Sequence, residues 1–293
     1  MISPPVGLHP VASVAAPNGP PMTARALLIR GLIAGLVAGI ATFLVAYTAG
    51  EPQVRTAIAL EQPRAGVEAP GDAPPAEDGH AHTHRHGDEA TAEEGARTEV
   101  SRDNQETWGL LTGTLTVGLA LGGIVALVAA ATIGHIGRLL PGQSTALVTL
   151  LGFVSFALVP FLKYPATPPA VGDSETIGDR TALYFGFVLV SLVAAVAASY
   201  GALRLRERIG TYGGVVAGVA AYLLVVVVAG QAFGTVNEVG DFPADTLWFF
   251  RRASLITLAT TWGVTGVVLT GLVTRLYAAE TADAERRQLA DSL

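Results

Sequence analysis

The 293-residue sequence contains no cysteine, which excludes disulfides and thiolate metal sites and leaves the redox compartment unreadable. Charge is also scarce. Asp, Glu, Lys and Arg make up 14% of the chain, against about 25% in an ordinary globular protein. No nucleophile elbow, P-loop, dinucleotide fingerprint or HExxH motif occurs, so an enzyme is not expected. The net charge of -6 is no signature of a nucleic-acid binder, and no nucleic-acid partner is expected. Much of the acid falls between Glu51 and Glu106, so it describes one segment and not a surface.

What remains is apolar. Hydrophobic residues account for 51% of the chain, and the 34 glycines lie largely inside apolar runs, where membrane helices tolerate them and soluble helices do not. Mean hydropathy is +0.48. The composition predicts an all-α membrane protein whose main partner is the lipid bilayer.

Six runs approach the roughly 20 residues that a hydrocarbon core of about 30 Å demands. Residues 1–23 form an N-terminal, Pro-rich tail, in which Met22 ahead of Thr23-Ala24-Arg25 is a second candidate start. The first span is 24–50 and the long acidic loop is 51–106. The remaining bundle, 107–277, comprises spans at about 107–133, 144–162, 181–202, 213–234 and 253–277, before a tail at 278–293. The loop carries too little bulky apolar surface to offset the entropy of ordering it, so most of it is expected to be disordered.

Arginine sets the orientation. Arg25, Arg30, Arg138, Arg204, Arg206, Arg208, Arg275, Arg286 and Arg287 fall on one side, against Lys163, Arg180, Arg251 and Arg252 in the short loops of the other. Nine against four puts both termini in the cytoplasm of a bacterial-type plasma membrane and the long loop outside, although that loop adds five arginines diluted by many acids. Gly31, Gly35 and Gly39, and Gly214 with Gly218, recur at four-residue spacing. Such small faces let helix backbones approach closely, and packing is preferred to ligand contact as their role.

The long loop holds the strongest chemical signal, Asp78-Gly79-His80-Ala81-His82-Thr83-His84-Arg85-His86-Gly87-Asp88. Alternate residues of an extended segment point to one side, so neighbouring imidazoles can share one Co2+, Ni2+ or Zn2+ ion. A solvated tract that collects metals without purpose is the bland alternative. The candidate metal residues are therefore His80, His82, His84, His86, Asp78 and Asp88. No organic cofactor is expected.

A second feature is Pro160-Phe161-Leu162-Lys163-Tyr164-Pro165, with Pro168 and Pro169. It predicts a kinked helix end followed by a stiff excursion. A rigid interfacial turn anchored by Tyr164 and a snorkelling Lys163 accounts for it without any ligand. As an ion path into the bundle the sequence offers Glu51, Lys163, Tyr164 and Glu175. Weaker helix-end candidates are His135, Glu238, Asp241 and Asp245. Within the apolar cores of the spans there are no charges, and the polar groups are hydroxyls and one amide, among them Thr112, Thr114, Thr116, Ser155, Ser191, Ser199, Gln231, Thr257, Thr260, Thr261 and Thr265. Most such hydroxyls bond their own backbone.

Several of these features together resemble the predicted cobalt transporter family CbtA. They are Glu51-Pro52 with Ala57 to Glu61 beyond, the histidine tract, Thr107-Trp108-Gly109, the segment from Pro160 to Pro165 with Pro168-Pro169 and Glu175, and Tyr184. The resemblance covers about Ala24 to Tyr277. It implies a multi-span subunit in cobalt uptake, working with a small one-span, histidine-bearing partner, and five spans where six are counted here. The rival functions are a non-transporting scaffold or metal-sensing subunit, favoured by the lack of charge within the spans, and a metal efflux protein, which would put the histidines inside.

Overall fold

The computed structural model describes residues 22–65, 101–169, 171–173 and 175–293, and the histidine tract lies outside them. All regular structure in these residues is helical. Five helices are long and apolar enough to cross a membrane: Ala24–Glu61, Arg102–Thr132, Pro141–Lys163, Ile177–Ala232 and Ala244–Asp291.

The first is α1, Ala24–Val45, continued through a π-helical turn at Ala46–Gly50 into α2, Glu51–Ala65. Thr23 caps it, its Oγ1 accepting from the Ala26 N–H at 3.2 Å. The second is α3, Arg102–Asn104, a π-turn at Gln105–Gly109, and α4, Leu110–Thr132. Both run past the limits set by hydropathy, so the segment between Glu51 and Glu106 is helical at each end. The third begins as α5, Pro141–Gly152, with proline at its first position and the Gln143 side chain accepting from the Leu140 N–H at 3.0 Å. A π-turn at Phe153–Leu158 precedes α6, Val159–Lys163. The widened turn stands where the Pro160 ring would otherwise meet the preceding turn of helix.

The fourth helix, α7 (Ile177–Ala232), contains a break at Gly210, whose φ of 79° and ψ of 166° suit glycine alone. A straight helix of 56 residues would be about 84 Å long. Instead the chain doubles back. The Ser191 and Tyr222 hydroxyls meet at 2.9 Å, the Phe187 and Phe233 rings lie 5.6 Å apart, and a Cβ on Gly218 would lie 2.8 Å from the Ala202 Cβ. Expected spans 181–202 and 213–234 are thus two antiparallel arms. The last helix, α8 (Ala244–Asp291), carries expected span 253–277 and continues through the tail.

The core joins α1, α4 and α8 through Leu27, Ala34, Val125, Ala126, Leu269, Val273 and Trp262, with Ala157 of the π-turn, and the partly buried Val148 of α5 packs against it. At the α1–α4 contact a Cβ on Gly31, Gly35, Gly118 or Gly122 would collide with a backbone carbonyl of the facing helix. The small faces of α1 and of the α7 hairpin are packing surfaces, as their spacing predicts. The hairpin rests on α6 and the π-turn before it, and makes no broad contact with α8.

Candidate functional site

Two π-turns stand at the same end of the bundle, and each delivers a carboxylate inward. Glu51 directly follows the first, and Glu106 lies within the second; they are 9% and 4% exposed. An Arg102 nitrogen donates to Glu51 at 2.6 Å, and another lies 3.0 Å from Glu106. Arg55 grips Glu106 with two nitrogens, one donating at 2.9 Å. Acid and base therefore alternate as Glu51, Arg102, Glu106, Arg55, and the charge within the group is balanced. Glu51 is present where an ion-receiving carboxylate was expected, but it is already bound to a guanidinium.

Arg55, Arg102 and Glu106 were not candidates in the sequence because all three fell within the loop expected to be disordered. A signal was present. Glu51 with Arg55, and Arg102 with Glu106, are opposite charges four residues apart, the spacing that supports a helix beyond the apolar run.

Beside this group is a cavity of about 740 Å³. Glu51, Lys163, Tyr164, Arg180, Tyr184, Glu238, Arg251, Ser254 and Thr257 supply its polar lining, and Phe161, Phe185, Leu110 and Leu258 are among its apolar walls. The Lys163 ammonium donates to the Phe233 carbonyl at 3.2 Å, and the Tyr164 hydroxyl to the Gly234 carbonyl at 2.7 Å. The Pro-rich excursion is thereby tied to the end of the α7 hairpin. Burial pushes the Tyr164 phenol above its ordinary pKa.

Glu238 accepts from the Asp173 N–H at 2.9 Å and the Thr176 hydroxyl at 2.7 Å, with Arg180 3.4 Å away. The Asp173 and Thr176 hydrogen bonds, then the Arg180 charge, hold its carboxyl below the usual carboxylate range. Glu175 does not line the cavity. It is exposed in the turn before α7, its N–H donating to Asp173 at 2.9 Å, and the inward carboxylate on this side is Glu238. His135 is exposed at the opposite end, and Asp241 and Asp245 are exposed beside the cavity.

Glu51, Lys163 and Tyr164 are thus brought together, but not as a cation site. Lys163, Arg180 and Arg251 oppose only Glu51 and Glu238, and both acids are held by arginines. An unescorted divalent cation would meet repulsion there. Among the described residues no group of three His, Asp or Glu side chains is placed to hold a metal.

Deeper in the bundle the hydroxyls mostly satisfy themselves. Thr145, Thr149, Thr257, Thr261 and Thr265 each donate to the carbonyl four residues back, at 2.7 to 2.9 Å. Thr42 of α1 and Thr261 of α8 meet at 2.9 Å, a polar tie inside an apolar core.

The family model of a probable cobalt transporter subunit, CbtA, matches residues 24–274. The chain belongs to the CbtA family. The match takes in the first four long helices, α8 as far as residue 274, the charged group at the two π-turns and every residue of the cavity lining. It describes a transporter subunit, which is not an enzyme class, with cobalt as the transported ion and a multi-pass membrane protein as its form. No curated protein and no solved structure matches the chain.

Proposed function

We propose that this CbtA-family chain is the membrane subunit of a cobalt uptake system and that its histidine tract gathers the ion before entry. The observation that carries the reading is the family match over residues 24–274, together with helices of membrane-crossing length. His80, His82, His84 and His86, with Asp78 and Asp88, are the proposed capture ligands; Ni2+ and Zn2+ suit the same imidazoles.

The chain crosses a bacterial-type plasma membrane six times, because each arm of α7 counts separately and the arms run antiparallel. Both termini then face the cytoplasm, and Glu51, Lys163, Tyr164 and the histidine loop face outward. This agrees with the arginine excess on the opposite side.

The positive cavity bears on how the ion is handed on. A captured cation has no open carboxylate cluster waiting among the described residues, which favours a path completed by a further subunit, proposed to be a small one-span protein. The same observation favours a second reading, a scaffold or metal-sensing subunit that positions such a partner without conducting. Flux of labelled cobalt into proteoliposomes, with the chain alone and with its partner, separates them. Flux that requires both supports the shared path, flux from the chain alone excludes a pure scaffold, and no flux with both present overturns the uptake reading.

A further inference from the structure

Lys163 and Arg251 are the two cations of the cavity lining without a carboxylate partner among the described residues. Lys163 spends one donor on the Phe233 carbonyl, and Arg251 makes one long contact, 3.4 Å, with the Ala166 carbonyl. An ammonium has three N–H donors and a guanidinium five, so most of theirs are uncommitted. Both side chains are half-buried. A cation withdrawn from water without a counter-charge is costly, and an anion in the cavity would relieve that cost.

The walls define the rest of the ligand. Phe161, Phe185, Leu110 and Leu258 continue the cavity as apolar surface, and it lies between the α7 hairpin and the start of α8, elements with no broad contact elsewhere. Lys163 ends α6, Arg180 lies in the first turn of α7, and Arg251 in the second turn of α8. Exposed Trp108 and Trp248 stand at the same helix ends, the depth at which aromatic residues meet lipid headgroups. The ligand therefore has an anionic head and an apolar body.

We infer that the cavity binds one anionic phospholipid, its phosphate held between Lys163 and Arg251 and an acyl chain lying along Phe161, Phe185 and Leu258. A phosphate with two ionic donors and apolar walls below it meets both halves of the site. The test is independent of the cobalt-uptake reading, because lipid retention is measured without flux.

The test uses the full chain in nanodiscs of phosphatidylcholine and phosphatidylglycerol, extracted into detergent and examined by native mass spectrometry. Phosphatidylglycerol is expected to stay with the protein in preference to phosphatidylcholine. The double variant Lys163→Gln, Arg251→Gln should lower its retention about 25-fold, at roughly fivefold per basic side chain. Lys163→Arg should keep it, and so should Arg204→Gln with Arg206→Gln at the opposite end. Equal retention of both lipids, or equal loss in the opposite-end variant, overturns the proposal. Displacement by millimolar inorganic phosphate overturns the lipid as the source of the anion. A melting measurement on each variant excludes simple unfolding; if the double variant does not fold, the single variants Lys163→Gln and Arg251→Gln decide, each expected to lose about fivefold, and unchanged retention in both overturns the proposal.

Discussion

Glu106 is buried against two guanidiniums and joins the end of one helix to the start of the next, since Arg55 and Arg102 both converge on it. Glu106→Gln leaves Arg102 with Glu51 and takes from Arg55 the carboxylate it grips. A lower melting temperature is expected, and Glu61→Gln, at an exposed position, should leave melting unchanged. Glu238 makes a pH prediction. Its folded pKa is depressed, so the stability it adds is present above the unfolded value, about 4.3, and is lost as pH falls through the lower folded value. The melting difference between the wild type and Glu238→Gln should therefore persist from neutral pH to about 5 and vanish only in stronger acid; a difference already gone near neutrality would contradict it. At this scale the sequence was half legible. Lys163, Tyr164 and Glu51 could be chosen because they stand where apolar runs end, but which acid turned inward, Glu175 or Glu238, depended on how two loops met.

The elements were legible wherever composition decides them. Apolar length gave the helices, and the four-residue glycine spacing gave the α1 face that packs on α4. A Cβ on Gly35 would collide with the Gly118 carbonyl, whereas one on Gly113 would meet nothing within 4 Å. Gly35→Leu should destabilise by about 3 kcal/mol, the upper end of overpacking costs, because backbone and not a flexible side chain must yield. Gly113→Ala should be neutral or slightly stabilising, since alanine is the better helix former. Thermal melting in one lipid composition checks both. The π-turns were not legible, because one extra residue in a turn leaves no compositional mark. Hydropathy likewise stops at the first charges, whereas α2 and α3 continue on paired charges that satisfy one another.

For the whole molecule, the decisive feature is the reversal at Gly210, which returns Glu238 and Arg251 to the end that holds Glu51, Lys163 and Arg180. Arg206, one turn before that break, instead approaches Gly137, at the opposite end. Six crossings and an outward histidine loop follow if the arms of α7 each traverse the bilayer. The cysteine-free chain makes this simple to check. A membrane-impermeant thiol reagent applied to intact cells should label Ala81→Cys and spare Thr211→Cys, and the reverse pattern would invert the topology. The most direct test of the central claim is accumulation of labelled cobalt by intact cells that express either the wild-type chain or a variant with His80, His82, His84 and His86 changed to alanine, at matched protein levels. Accumulation should fall in the variant, and in the wild type it should decline as pH drops through about 6.5, where imidazole gains its proton. Equal accumulation by the two chains at neutral pH and limiting cobalt would contradict the proposed role of the histidines in capture.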